Sequence, residues 1–324
     1  ERERHSRTRG RLASARCRGG RHPMRGSLDE GGRPRKVCRR HEGRITQKLL
    51  DMPLTPTETR ALLDKLGHRP QKKLGQNFLI DGNLVRKSLE MADLPAGSMV
   101  VEIGPGLGSL TGALLDGGHK VYAVELDPAL TSHLQETFTE EIEQARLNLV
   151  EADAVQTPIG KLPEETDDFH IVANLPYAIS SPWLEAVLAS GRLPRRMVLM
   201  LQKESADRYL AKHDSKSFGA LAIFLAGSFS GGDMHVVSRR CFHPAPAVDS
   251  VLLRFDRREE PFLFSGEVRT LVRRLFTRRR KQLGVLAKTE KPEVLQRIMD
   301  WLSREGLSPT LRPEQVPADS WRSL

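Results

Sequence analysis

Between residues 99 and 201, short apolar runs alternate with helical segments, and this alternation narrows the possible folds more than any other feature. The runs at 99–103, 120–126, 147–150, 169–173 and 196–201 are rich in Val, Ile and Leu. Runs this short and this apolar predict strands buried on both faces. Helix signals fill the gaps. A helix is expected near 107–115, and another from Pro128, where Asp127 is the N-cap and Pro occupies the first helical position. Further helices fall between the last two strands and after Gln202. The pattern predicts an α/β fold: a Rossmann-like domain with a mostly parallel, doubly wound sheet. Two helices precede it, at 57–66 and at 84–94, where Val85, Leu89 and Ala92 share one face. A Pro-punctuated loop and a strand follow at 241–255.

The ends of the chain differ from this middle. Residues 1–44 hold 15 Arg or Lys against 5 Asp or Glu, which accounts for the whole formal net charge of +10. Residues 1–51 therefore form a basic tail, expected to be disordered because so few apolar groups cannot offset the entropy of ordering. The tail reads as an RNA-gripping arm, as a transit peptide, or as translated upstream sequence ahead of Met52-Pro-Leu-Thr. The Rossmann-like α/β domain is expected over 52–258. After the polar linker at 256–261 only helical patterns remain, at 267–276, 279–288, 293–305 and 313–324. They predict a small all-helical domain at 259–324. No apolar run approaches the roughly 18–20 residues of a membrane span. Cys17, Cys38 and Cys241 form no disulfide framework, and neither they nor the ten histidines have metal-ligand spacing. A reducing, cytoplasmic setting without a metal is expected.

Two motifs carry chemistry. In Val100-Val-Glu-Ile-Gly-Pro-Gly-Leu-Gly-Ser109 a strand runs into a glycine turn that opens a helix, a geometry suited to close backbone approach of a ligand. Glu125 ends the next strand, about 20 residues on, where an acid accepts from both ribose hydroxyls. The spacing is Gly-x-Gly-x-Gly rather than that of dinucleotide binders. Glu102, beside the turn, repels a pyrophosphate and suits a cation. S-adenosylmethionine, with an ammonium, a sulfonium and no phosphate, fits both. The second motif, Asn174-Leu-Pro-Tyr177, ends the fourth strand at the sheet edge where ligands bind. An exocyclic adenine amine is a poor nucleophile because its lone pair is delocalised. The side-chain carbonyl of Asn174 and the main-chain carbonyl of Leu175 can accept its N–H bonds and favour the pyramidal nitrogen. Pro176 fixes the backbone. Tyr177 offers a ring on which a flipped base stacks. Each motif also has a plainer reading, as a tight turn with a surface acid and as a strand-terminal turn with a core tyrosine.

With these motifs in order, the chain resembles the small-subunit (16S) ribosomal RNA adenine-N6,N6-dimethyltransferases from about Arg69 to the C-terminus. The resemblance also takes in Lys73-Leu-Gly-Gln-Asn-Phe-Leu79, Val124-Glu-Leu-Asp127, Glu151-Ala-Asp-Ala154, Leu201-Gln-Lys-Glu204 and Phe242-His-Pro-Ala-Pro-Ala-Val-Asp-Ser250. It implies dimethylation of two adjacent adenosines in the 3′-terminal hairpin of small-subunit rRNA, by a monomer acting on a pre-30S-type particle. It further implies that Gln76, Asn77 and Leu79 close over the cofactor, that Gly104 lies at its methionine end, and that Glu102 and Gly106 also bind it. Glu125 would hold the ribose, Asp153 and Ala154 the adenine, and Asn174 both cofactor and target. Phe242 and Tyr177 would sandwich the target base. From the residues alone, Phe242 reads equally as a core aromatic.

The run Arg278-Arg-Arg-Lys281 lies in a stretch from 269 to 281 that holds no acid. It reads as a solvated helix face or as a grip on RNA phosphates. The family's basic segment at this place implies the second, although Gly284 and Val285 replace its usual continuation. Three rivals stay in view. A large-subunit rRNA adenine methyltransferase shares the first motifs. A ribosome-assembly or transcription factor would use the fold mainly for binding. A nicotinamide dehydrogenase is disfavoured by the glycine spacing and Glu102.

Overall fold

The computed structural model describes residues 54–71 and 74–324; the tail at 1–51, Met52 and Lys73 lie outside them. Strand β1 (Phe78–Leu79) and helix α2 (Gly82–Ala92) follow helix α1 (Pro56–Lys65). Next come β2 (Met99–Ile103), α3 (Ser109–Asp116), β3 (Lys120–Glu125), α4 (Pro128–Thr137), α5 (Thr139–Glu143), β4 (Leu147–Glu151) and β5 (His170–Asn174). The chain continues through α6 (Ser180–Ser190), β6 (Arg196–Gln202), α7 (Lys203–Tyr209), α8 (Ala220–Ser228), β7 (Phe229–Val237), β8 (Phe242–His243) and β9 (Ser250–Arg257). Helices α9 (Gly266–Thr277), α10 (Leu283–Ala287) and α11 (Pro292–Arg304) close it.

The main sheet has seven strands in the order β4-β3-β2-β5-β6-β9-β7. The first five are parallel, and β9 and β7 add antiparallel. Strand order reverses between β2 and β5, so their carboxyl ends open a crevice there, as in other doubly wound sheets. Side-chain alternation divides the core. Val100, Val172, Val198, Met200 and Leu252 face Leu84, Leu110 and Leu114 of α2 and α3. Val101, Ile171, Leu199, Leu201 and Leu253 face the opposite layer, with Trp183 of α6 and Phe224 of α8.

The C-terminal helices belong to that second core. Trp301 of α11 and Trp321 are fully buried with ring centroids 4.8 Å apart, and Phe276 reaches Trp321 at 5.8 Å. These rings join the cluster that includes the sheet residues.

Three sequence expectations need correction. The helix expected at 279–288 is a turn followed by the short α10, because Gln282 is extended (ψ 147°) and the apolar run starts only at Leu283. The helix expected at 313–324 is two 3-10 turns, Pro313–Gln315 and Ala318–Ser323, interrupted at Pro317, which lacks an N–H. Asp256 and Arg257, expected in a linker, end β9, where Asp256 pairs with Arg196 at 2.6 Å and Arg254 at 2.8 Å. Strand β7 has no counterpart in the sequence pattern; its residues 230–236 are all exposed and include Gly231 and Gly232. Among the described residues no helix is long and apolar enough to cross a membrane.

Replacing Trp301 by Ala should cost about 3–5 kcal/mol and lower the urea midpoint of one cooperative transition. A separate low-urea transition for the C-terminal helices would show instead that they fold apart from the sheet.

Candidate active site

The crevice at the β2–β5 boundary is lined by four stretches of β-strand terminus and by the segment before α2. Glu102, Gly104 and Gly106 come from β2 and its turn; Glu125 from β3; Asp153 and Ala154 follow β4; Asn174, Leu175, Pro176 and Tyr177 end β5; Gln76, Asn77 and Leu79 come from the segment at β1. Sequence positions about 100 apart are thus brought into one cleft. Phe242 is not among the residues lining it. It is 2% exposed, packed in the core behind β1, where it pairs with Leu79. Its ring lies in the core cluster that includes Leu79, not on the lining of the cleft.

Glu125 is the most constrained group. Its Oε1 accepts from the N–H groups of Leu126 (2.9 Å) and Asp127 (3.0 Å), and its Oε2 from Gly106 N–H (3.1 Å). Burial raises its pKa, and these three donors partly offset the rise. Gly106 thereby ties the glycine turn to the end of β3. Asp127 caps α4 by accepting from Ala129 N–H at 3.0 Å, as expected, and its other oxygen accepts from Gln76 Nε2 at 2.9 Å. Gln76 Oε1 accepts in turn from Gln71 N–H at 2.8 Å and lies 3.1 Å from His68 Nε2. The polar stretch before β1 is therefore locked to the end of β3.

The Asn174 loop is clamped from two sides. Gly104 has φ +68°, and a Cβ there would come within 3.2 Å of Pro176 Cδ; a Cβ on Gly75 (φ +66°) would come within 3.2 Å of Tyr177 N. Asn174 Nδ2 donates to the Asn77 carbonyl at 3.0 Å. Its Oδ1 is directed away from that bond. Tyr177 shares a short hydrogen bond between its hydroxyl and Ser250 Oγ, while burial raises the phenol's pKa. Asp153 Oδ1 accepts from Val155 N–H at 2.8 Å and holds the turn after β4.

Glu102 is 1% exposed and accepts from Thr111 Oγ1 at 2.7 Å. Burial pushes its pKa up to about 8. The standing negative charge inferred from sequence is therefore mostly neutral at pH 7 in the folded chain; a cation beside it would draw out the proton.

Several lining residues escaped the motif reading. Ile103, Leu126 and Ile179 provide apolar walls, and Leu126 is 48% exposed there. Phe78, Leu107 and Leu130 also line the cleft and pack with Leu63 behind it. Ser250, which anchors Tyr177, is legible only as the last residue of the Phe242–Ser250 stretch.

The basic run is divided by the structure. Arg279 donates to the carbonyls of Phe218 (3.0 Å) and Lys216 (2.5 Å) and pairs with Glu314 at 2.8 Å. Arg273 pairs with Glu185 and Arg274 with Glu290. Arg278, Arg280 and Lys281 are exposed. The missing local acids are supplied from other elements, so Arg279 is a structural tie and only its neighbours are open to an anion.

A family model for ribosomal RNA adenine dimethylases matches residues 67–320. The ribosomal RNA small subunit methyltransferase A of Opitutus terrae is 53% identical over 274 residues, covering 84% of this chain and 98% of that protein. The chain belongs to the ribosomal RNA adenine dimethylase family. Two solved structures agree with the fold. A dimethyladenosine transferase from Plasmodium falciparum is 25% identical with a TM-score of 0.60, covering 76% of this chain and 95% of that one. The 23S rRNA methyltransferase ErmE is 26% identical with a TM-score of 0.54, covering 76% and 98%. This dimethylase is a methyltransferase that uses S-adenosylmethionine, and its cleft fits that cofactor. Among the described residues the lining carries three carboxyls, Glu102, Glu125 and Asp153, and no Lys, Arg or His. Such a donor set suits a phosphate-free cation and opposes a pyrophosphate.

Two outcomes follow for this dimethylase. Because the folded pKa of Glu102 is raised, the native state binds more protons than the unfolded state between about pH 4.5 and 8, and stability falls as pH rises through that window. Melting of Glu102→Gln against the parent should show an advantage that widens up to about pH 8, by at most about 1.4 kcal/mol per pH unit, and then levels off. Arg279→Met should lower the melting temperature without changing the salt slope of RNA binding. Arg278→Gln with Arg280→Gln should do the reverse, reducing that slope by about 1 per arginine.

Proposed function

We propose that the dimethylase transfers methyl groups from S-adenosylmethionine to N6 of two adjacent adenosines in the 3′-terminal hairpin of small-subunit rRNA. The cofactor, when bound, supplies an electrophilic methyl group on sulfur. The chain's own residues bind and align. Glu125 holds the ribose through Oε2, which accepts only from Gly106 N–H and keeps an acceptor site, while both sites of Oε1 are taken by Leu126 and Asp127 N–H. Asp153, with Ala154 beside it, receives the cofactor adenine, and Leu126 supplies apolar cover. Gln76, Asn77 and Leu79 close the cleft, and Glu102, Gly104 and Gly106 take the methionine end.

The observation that carries this reading is the hydrogen bond from Asn174 Nδ2 to the Asn77 carbonyl. It commits the amide nitrogen and leaves Oδ1 as an acceptor for an adenine N6–H. Together with the Leu175 carbonyl, it draws hydrogen-bond density from the amine and favours the nucleophilic nitrogen. Tyr177, anchored through Ser250, offers a face to the flipped base. The proton leaves to solvent after attack. Transfer of the second methyl requires the monomethylated amine to rotate or rebind.

The 53% identity to a small subunit methyltransferase A supports the small subunit as target over the large one. The particle is read as a pre-30S-type intermediate, met by a monomer in the cytoplasm. Residues 52–258 form the methyltransferase domain and 259–324 the helical RNA-binding portion, with Arg278, Arg280 and Lys281 on phosphates.

The test is labelled methyl incorporation into undermethylated small subunits, followed by nucleoside analysis. Dimethyladenosine in the small-subunit RNA is expected; label confined to large-subunit RNA would refute the assignment. Asn174→Ala should lower kcat by about 10²–10³-fold while immature subunits still bind.

A further inference from the structure

The cleft that binds the cofactor is a poor place to attract RNA. Its titratable groups among the described residues are acids and one tyrosine, and a polyanion needs cations outside it. The Arg278–Lys281 turn is one source, on the C-terminal helices. A second lies beside the cleft mouth.

Strand β1 lines the cleft and pairs with β8, Phe78 with His243 and Leu79 with Phe242. The 3-10 turn Arg239–Cys241 leads directly into β8. Ser238 fixes that turn by accepting from Arg240 N–H at 3.3 Å, and its carbonyl accepts from Cys241 N–H at 3.0 Å. Cys241 then joins it to the strand: its carbonyl accepts from Ile80 N–H at 3.0 Å, and its thiol donates to Asp81 at 3.3 Å. Two adjacent guanidinium groups thus emerge from a turn held rigidly to the cleft wall. Arg60, on the exposed side of α1, approaches the same ribbon. His243 has its pKa lowered first by burial and then by the charge of Arg60. Arg60, Arg239 and Arg240 are exposed, and among the described residues no carboxylate pairs with any of them. The nearby acid, Asp81, is taken up by Asn83 N–H and the Cys241 thiol. Among the described residues, other arginines such as Arg196, Arg254, Arg273, Arg274, Arg279 and Arg297 do pair with acids. Three unpaired cations around one ribbon are a cost in mutual repulsion unless an anion meets them.

We propose that Arg60, Arg239 and Arg240 form a phosphate clamp at the cleft mouth, gripping the RNA backbone that flanks the target adenosine. The clamp rests on the RNA-methylating reading above and adds to it a contact surface distinct from the Arg278–Lys281 turn. On this proposal a base extruded toward Asn174 carries its flanking phosphates toward the ribbon whose β1 strand lines the cleft and whose β8 strand follows the Arg239–Cys241 turn. The acidic pocket and the basic rim then divide the substrates by charge: the cationic donor inside, the polyanion at the edge. Backbone grips of this kind position a strand without reading its sequence.

The experiment compares Arg239→Gln with Arg240→Gln as a double variant, and Arg60→Gln alone, against the parent full chain. Steady-state methylation of undermethylated small subunits is measured, together with salt-dependent binding of the unmethylated hairpin RNA. The double variant should raise KM for RNA about tenfold or more and reduce the salt slope by about 2. The kcat at saturating RNA, cofactor binding and melting temperature should stay at the parent's values, and Arg239→Lys with Arg240→Lys should restore most of the slope. Arg60→Gln should reproduce the effect at about half the slope change, on an element separate from the turn. An unchanged RNA KM and slope would overturn the clamp, as would a loss seen on whole subunits but not on hairpin RNA, which would assign the patch to a ribosomal protein. A parent chain that modifies no small-subunit adenosine would sink the functional reading itself, a result separable from failure of the clamp in a parent that does.

Discussion

Asn174 has one chemically acceptable orientation, because the atom facing its amide is the carbonyl oxygen of Asn77. A carbonyl accepts and cannot donate, so the NH₂ end must point to it and Oδ1 must point away. The remaining features of the site serve to keep that arrangement. Gly104 and Gly75 let backbone approach Pro176 and Tyr177 from either side, and any larger residue would push the loop out. Gln76 and Asp127 tie the Asn77 segment to β3. Gly106 ties the glycine turn to Glu125. The Asn174 carbonyl oxygen is thus held by neighbouring elements, and on the proposed reading such alignment is how a site without a covalent intermediate would lower its barrier.

Charge is the second organising constraint. The described cleft lining carries carboxyls only, yet the most buried of them, Glu102, is mostly protonated at neutral pH. A neutral acid at this buried position avoids the cost of a buried unpaired charge. It ionises when a positive group arrives, so the pocket's affinity for a cation is built on a proton it can release. RNA phosphates would meet the opposite situation at the rim, where exposed arginines carry permanent charge. The chain thereby separates two ligands of opposite sign that must meet within one bond length.

Much of this was legible in the residues. Periodicity located the five parallel strands, and Asp127-Pro128 marked the start of α4 to the residue, since both capping and the proline position depend on local chemistry alone. The lining residues around Glu125 and Asn174 followed from the glycine turn and the strand ends. What escaped depends on distant partners. The 269–281 stretch holds no acid of its own, so it looked open throughout, but Glu185, Glu290 and Glu314 fold back onto Arg273, Arg274 and Arg279. Phe242 could face the base or the core, and only the folded packing, which buries it to 2% exposure among core residues, sets it in the core. Strand β7 shows no alternation because it is an edge strand exposed on both faces, so no hydrophobic period marks it.

The same distant pairs explain how the C-terminal helices are held in register with the chemistry. Helix α6 begins three residues after Tyr177, following the turn Tyr177–Ile179. Its far half is fastened to α9: Arg273 makes a two-pronged bond to Glu185 at 3.1 and 2.8 Å, and Arg269 donates to the Leu188 carbonyl at 3.2 Å. Trp183 of the same helix lies in the core shared with Trp301 and Trp321. The turn bearing Arg278, Arg280 and Lys281 follows directly on α9. Helix α6 therefore connects the Asn174–Tyr177 loop, proposed to receive the base, to α9 and the turn that would hold phosphate. Packed interiors transmit displacement because they have few voids to absorb it. RNA gripped at that turn is consequently placed at a set distance from Asn174, and a shared core achieves this better than two domains on a flexible linker would.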